Sequence, residues 1–497
     1  MQNSTYKRPM DAQVHPICTP PASDLEGRYF RERHLRTLFR CILITMLVCA
    51  GSNSVADKLR GPLRAHPENP RYFTDDGERA VLLTGSHTWN LLADMGPSDP
   101  PPALDFEAYL DWMADLKHNF IRGWTWHLVS WDTTANGKWG KDHVHVVAPM
   151  PWARTGPGKA LDGKPKFDLT RYNDAYFKRL RERVRMAGAR GIFHSVMLFE
   201  GWGTQFSPGA HEASPFHPEN NINGIDGDAD GDEKTLDIQT LGIPEVTKIQ
   251  EAYVRKTVDT VNDLDNVLYE IGNETHPGST AWQYHMIEYI HAYEQTKPKQ
   301  HPVGMTFQYK GGSNKMLFES PADWISPNNE GGYRDNPPAD TRGKVVISDT
   351  DHLWGIGGNT AWAWKTFMRG LNPIFMDPYD GVVLGNAFDP QFQELRKTLG
   401  YIRSYSERVN LAAMRPRGDL ASSGYCLAEP GRAYLVFSPQ GRKVEVDLGG
   451  PGRTYAVEWF APATGKTQAG DPVRGGGKKT LVGPFDGGVL CLEARTE

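Results

Sequence analysis

From about Ala80 to Val409 the chain alternates short apolar runs with helix-period stretches, and this alternation constrains the fold more than any other feature. The runs are Val81–Thr84, Phe120–Trp124, Ile192–Phe199, Val267–Ile271, Pro302–Phe307, Trp324–Ser326, Val345–Ser348 and Pro373–Met376. Between them lie amphipathic stripes: Phe106, Tyr109, Leu110 and Met113; Val254, Val258 and Val261; Trp282, Met286, Tyr289 and Tyr293. Strands separated by helices build parallel sheets, because a parallel neighbour needs a long crossover. Eight of them predict a (β/α)8 TIM barrel over residues 65–410, with the fifth-to-sixth and sixth-to-seventh connections short of helix. A doubly wound sheet is the alternative, but no Gly-x-Gly-x-x-Gly turn follows any run. After a last helix at about Phe388–Val409 the pattern changes. Residues 411–497 carry alternating runs such as Arg432–Phe437 and Lys443–Leu448 between Gly-rich turns, which predicts a small antiparallel β-sandwich.

Two long insertions, Val129–Asp168 and Gly201–Gly242, leave the second and third runs. They start from strand C-termini, the face where barrels assemble sites from loops, and so should wall a cleft. Residues 1–56 read differently. Five arginines between Arg28 and Arg40 precede the apolar run Cys41–Ala50, followed by Ser54-Val55-Ala56, the layout of an N-terminal extension and signal peptide. The run is short for a bilayer span, so the expectation is a secreted, periplasmic or cell-surface protein without stable membrane insertion, a single anchor being the rival. Cleavage after Ala56 leaves Cys426 and Cys491, which could pair or stay as core thiols. A net charge of −5 gives no basic footprint for nucleic acid, and 39% hydrophobic residues are too many for a disordered chain.

The strongest chemical signal is Tyr269-Glu270-Ile271-Gly272-Asn273-Glu274 at the end of the fourth run. A carboxyl just past a barrel strand is partly desolvated, and the raised pKa suits a general acid; the Asn can bond a substrate hydroxyl. The second is Lys344–Leu353, where Asp349, Asp351 and His352 crowd the end of the seventh run. Glycoside hydrolysis needs two carboxylates flanking the bond, and rim acids on strands four and seven face each other across a barrel mouth. Asp349 directly follows the strand and is preferred as nucleophile, with Asp351 beside His352 orienting substrate or holding Arg122.

These features, Asn273-Glu274 on strand four and the acidic end of strand seven, resemble the clan A glycoside hydrolases. Asn69-Pro70-Arg71-Tyr72-Phe73 with Gly85-Ser86-His87-Thr88-Trp89 more narrowly resembles the apiosidase-like barrels. Glu458-Trp459-Phe460-Ala461-Pro462-Ala463-Thr464-Gly465 and Gly483-Pro484-Phe485 are similar to the collagen-binding-type β-domain that follows those barrels. The resemblance implies Glu274 as acid/base and a strand-seven acid as nucleophile. It departs from the clan in having Asp349 and Asp351 where Glu is usual, with Glu330 and Glu200 as reserves.

Rim positions expected to bind substrate are His87, Trp89, Arg122, Trp124, Trp126, His127, Glu200, Trp202, Asn273, Glu330, His352, Trp354 and Asp377. Asp226, Asp228, Asp230 and Asp237 match the ligand spacing of a calcium loop, with Asp in place of the final Glu. Catalysis itself calls for no cofactor, since the histidines lack zinc-type spacing. The expected function is that of an exported glycoside hydrolase, retaining, acting on a polysaccharide or oligosaccharide. A non-catalytic carbohydrate- or matrix-binding protein on a barrel scaffold is the alternative. A barrel esterase is disfavoured for want of a Gly-x-Ser-x-Gly elbow.

Overall fold

The computed structural model describes residues 59–495; the expected signal peptide lies outside the described residues. The centre is an eight-stranded sheet of β1 (Gly85–His87), β2 (Phe120–Gly123), β3 (Phe193–Glu200), β4 (Val267–Asn273), β5 (Val303–Thr306), β6 (Trp324–Ser326), β7 (Val345–Asp349) and β8 (Asn372–Met376). The strands pair in parallel in the order β1-β8-β7-β6-β5-β4-β3-β2. A run of successive parallel neighbours of this kind is a (β/α)8 barrel. At the seam between β1 and β2 the strands close without a ladder. A Cβ at Gly85 would stand 2.1 Å from the Phe120 carbonyl oxygen, so only glycine permits the approach.

The first strand lies downstream of its expected place. Leu82–Thr84 are held by side chains in place of a ladder: Asn372 Oδ1 accepts from the Leu83 amide at 3.0 Å, and Asn119 Oδ1 from that of Thr84 at 2.9 Å. Pairing with β8 therefore begins only at Gly85.

The outer layer contains α1 (Phe106–Asp115), α2 (Asp174–Gly188), α3 (Pro244–Val261), α4 (Thr280–Glu294), α5 (Asn314–Glu319), α6 (Thr350–Trp354), α7 (Thr360–Met368) and α8 (Pro390–Arg408). The stripes of α1 and α3 are buried as their spacing demands. That of α4 differs: Trp282, Met286 and Ile290 face the barrel, while Tyr289 and Tyr293 sit half-buried on the flank. Their hydroxyls explain it, reaching Arg255 and Asp259 on α3. The β5–β6 connection holds only the six-residue α5, and β6–β7 has no helix.

After α8 the chain becomes all-β. A six-stranded antiparallel sheet, containing Cys426–Glu429, Ala433–Ser438 and Gly488–Ala494, is covered by the ribbon of Lys443–Leu448 with Gly477–Val482. Its other face docks on the barrel: Trp364 of α7 stacks on Phe437 at 6.3 Å, and Tyr401 and Tyr405 of α8 meet Phe460 at 5.1 and 5.2 Å. Arg408 Nη1 adds an ion pair to Glu458 at 2.7 Å. Residues 59–495 thus belong to one compact unit. Cys426 and Cys491 are both free and buried. They are registered against Val436 and Leu435, adjacent residues of the intervening strand, so they face opposite sides of the sheet and cannot pair.

Candidate active site

The C-terminal strand ends surround a cleft of about 460 Å³. Of the expected residues, Trp89, Trp124, Trp126, Glu200, Trp202, Asn273, Glu274, Asp351, His352 and Trp354 line it. Trp131, Asn136 and Trp139, from the insertion expected to wall a cleft, line it too, as do Tyr309 and Arg334, which were not singled out. Trp131 sits on a short strand, Ser130–Asp132, and Asn136 and Trp139 on the 3-10 segment that follows it, elements too short to show a period in the sequence.

Beneath the cleft floor is a buried polar network centred on Arg122 of β2. Its Nε donates to Glu270 Oε2 at 2.9 Å, its Nη2 bonds Glu270 Oε1, and its Nη1 donates to Asp349 Oδ2 at 2.7 Å. Nη2 also donates to Asn273 Oδ1 at 2.6 Å. Burial works against the guanidinium charge, but Glu270 and Asp349 outweigh it and raise the pKa. Glu270 was readable as an inward-facing acid four residues before Glu274, and its parity on β4 is what aims it at Arg122.

Hydrogen bonds fix the tautomers. Trp124 Nε1 can only donate, so His87 Nδ1 accepts at 2.7 Å and His87 Nε2 donates to Asp349 Oδ2 at 2.9 Å. Burial would push the Asp349 carboxyl up, but His87 and Arg122 hold it well below the usual carboxylate range. Its other oxygen accepts the Asp351 amide at 2.9 Å and caps α6. Asp349 and His87 are fully buried and do not border the cleft.

Asp351, one residue into α6, does border it. Its carboxyl is pushed up to about 6 by burial and by the Asp349 charge, against the pull of Arg122. Glu274 stands just past β4. Burial, then the Asp351 and Glu200 charges, raise its pKa well above the usual value. Its backbone is left-handed, with φ 48°, a conformation that costs a non-glycine residue on the order of 1–2 kcal/mol. Gln205 Nε2 donating to its carbonyl at 2.6 Å, and its own amide donating to Thr306 Oγ1 at 3.3 Å, hold the turn.

Asn273 is oriented by its partners. Arg122 Nη2 and His352 Nε2, the latter at 3.1 Å, both converge on Oδ1. Ser326 Oγ satisfies His352 Nδ1 at 2.8 Å. Burial and Arg122 lower the His352 pKa to about 3, leaving the ring neutral. The Asn273 Nδ2 donor is buried without a protein partner, the position from which an amide can serve a ligand oxygen.

Glu200 ends β3 with both oxygens engaged, accepting from the Trp202 and Gly203 amides at 2.7 Å each. Burial still raises its pKa to about 8. A Cβ at Gly203 would meet the Trp126 ring at 2.6 Å and the Glu200 carboxylate at 2.8 Å, so this turn also requires glycine.

The remaining expected residues are elsewhere. His127 is boxed by Trp152, Phe199 and Tyr253, its pKa lowered to about 3 by burial. Asp377 forms a buried ion pair with Arg396 that ties β8 to α8. Glu330 caps α5, accepting from the Asn314 amide at 2.6 Å. Arg122 lies under the floor and not on the wall. In the second insertion, carboxylate oxygens of Asp228, Asp230 and Asp237 lie within 4.8 Å of one another. Asp226 is outside that group and accepts the Asp228 amide instead.

The barrel and its β-domain are shared with solved glycoside hydrolases. One such structure, described as a glycoside hydrolase, superposes with a TM-score of 0.57 at 13% identity, covering 88% of this chain and 98% of the other. A family 5 glycoside hydrolase from Bacteroides vulgatus gives 0.56 at 12% identity, covering 87% and 94%. The chain therefore shares the fold of these structures, a (β/α)8 barrel followed by a β-domain. In sequence, residues 143–310 match a family described as a domain of unknown function, DUF6298, a stretch that holds β3, β4, Glu200 and Glu274. No curated protein matches the chain.

Proposed function

We propose that the protein is an exported glycoside hydrolase that cleaves glycosidic bonds by a retaining two-carboxylate mechanism. The observation that carries this reading is the Glu274–Asp351 pair: two cleft carboxyls whose mutual charge is the strongest electrostatic influence on Glu274 after burial. Burial and neighbouring carboxylates raise both, and the hydrogen bond from Arg122 to Asp351 favours Asp351 as the ionised member of the pair. Glu274, protonated, donates to the leaving oxygen. Asp351, with Arg122 beside it, attacks the anomeric carbon, and Glu274 then activates water to release the sugar. Asp351 takes this part in preference to Asp349, whose two oxygens are spent on His87, Arg122 and the α6 amide and which faces no open volume. Placing the acid one residue into α6 offsets an Asp side chain one methylene shorter than Glu. Asn273 Nδ2 supplies a donor for a sugar hydroxyl, and the half-buried Trp202 and Trp354 offer faces on which sugar rings stack.

Export rests on the N-terminal sequence pattern. The three-carboxylate group of Asp228, Asp230 and Asp237 suits a structural calcium ion with no part in the chemistry. The direct test of the function is a screen of the mature chain against aryl glycosides, furanosides included. Turnover abolished in Asp351→Asn, and lowered in Glu274→Gln most strongly for substrates with poor leaving groups, supports the reading. Carbohydrate binding without turnover of any glycoside would favour a non-catalytic binding protein.

A further inference from the structure

The cleft floor is acidic, yet its mouth carries three cations from three separate loops. Arg334, after β6, is exposed, lines the cleft and stands 5.1 Å from the Trp354 ring centroid. Lys138, after β2, is exposed and 4.3 Å over Trp139. Lys310, after β5, is exposed and lies 4.5 Å from the Phe206 ring centroid and 5.6 Å from that of Tyr309. Trp354, Trp139 and Tyr309 are all cleft-wall residues. Among the described residues none of the three cations is held by a carboxylate, whereas the exposed Arg181 and the half-buried Arg154 and Arg417 are ion-paired. A cation lying on an aromatic face is positioned while its outward N–H donors stay unspent, and a guanidinium takes a carboxylate or sulfate through two parallel bonds.

We infer that the substrate is an anionic glycan, carrying uronate carboxylates or sulfate esters on sugar units outside the scissile one. This rests on the proposed function. An anion beside Asp351 and Glu274 would be repelled, so the charged units belong at the mouth, where the three cations meet them, and a neutral unit belongs on the floor. The attraction works across solvent and is screened within about 10 Å at 0.1 M salt.

The test measures binding of the full chain to an oligogalacturonate, a sulfated carrageenan oligosaccharide and an uncharged galacto-oligosaccharide of equal length, by calorimetry at low and high salt. At least one anionic probe should bind on the order of tenfold tighter than the uncharged one at low salt. The preference should collapse at high salt and in Lys138→Ser/Lys310→Ser/Arg334→Ser. Which anionic probe wins separates carboxylate from sulfate recognition. Equal affinities, absence of binding to both anionic probes, or a preference that survives the triple substitution would overturn the inference. Aryl glycoside hydrolysis measured in parallel separates the two claims. Turnover without anionic preference removes the inference alone, and anionic preference without turnover removes the proposed function alone.

Discussion

Arg122 Nη1 and Asp349 Oδ2 form an ion pair at 2.7 Å in which both side chains are closed to solvent. With Glu270 on its other edge, the guanidinium neutralises the floor on which Asn273 and Asp351 are set. Breaking a buried pair leaves an uncompensated charge, so Arg122→Met should lower stability by about 3–5 kcal/mol in urea unfolding. Arg122→Lys should recover little, because an ammonium cannot span Glu270 and Asp349 together. A loss within about 0.5 kcal/mol would mean that the network contributes no more than an ordinary surface contact.

Glu274→Gln keeps the shape of the side chain and removes its proton. Turnover of substrates with poor leaving groups should fall by a factor on the order of 10²–10⁴, the usual contribution of general acid–base help. Activated aryl glycosides should suffer less, because their leaving groups need little protonation. Equal losses on both substrate kinds would assign Glu274 a positioning role.

The pH profile follows from the same pair. Activity needs Asp351 ionised, so kcat/KM should decline as pH falls through about 6. It also needs Glu274 protonated, so activity should decline again as pH rises through the raised pKa of that group. In Glu274→Gln with an activated substrate the alkaline limb should vanish while the acid limb stays. An alkaline limb unchanged in that variant would shift the acid role to another residue, Glu200 being the cleft carboxyl next in line.

The sequence reading reached the architecture and half of the site, for identifiable reasons. Strands and helix stripes are periodic, and Glu274 is marked by its place at a strand end. Asp349 and Asp351 share a parity, so strand counting could not separate them. What separates them is the short α6: Asp349 spends itself as the N-cap, turning Asp351 into the cleft. His87, Arg122 and Asp377 were recognised as strand-end polar residues, but their partners Glu270 and Arg396 come from other strands and helices. Long-range pairing of that kind leaves no local mark. Trp131 and Trp139 were legible only as part of an insertion expected to wall the cleft, and Tyr309 not at all, because segments this short and irregular carry no repeat.

Removal of calcium tests the acidic loop. If Asp228, Asp230 and Asp237 hold an ion, chelator should lower the melting temperature by roughly one degree for each kcal/mol the ion contributes in a chain of this size, because three adjacent carboxylates then repel. Asp228→Asn/Asp230→Asn should abolish the response. A melting temperature unmoved by chelator would leave these residues as an ordinary solvated turn.

Asp351 and Glu274 should act as nucleophile and acid/base on one anomeric carbon. Azide reports on both through product stereochemistry, using whichever activated aryl glycoside the wild-type chain turns over. Asp351→Gly opens the nucleophile's place, and azide should restore turnover and give a glycosyl azide of inverted configuration. Glu274→Ala leaves the covalent intermediate to be captured, and azide should give the retained anomer. Wild-type activity in Asp351→Gly, or rescue by azide only in Asp349→Gly, would contradict the account.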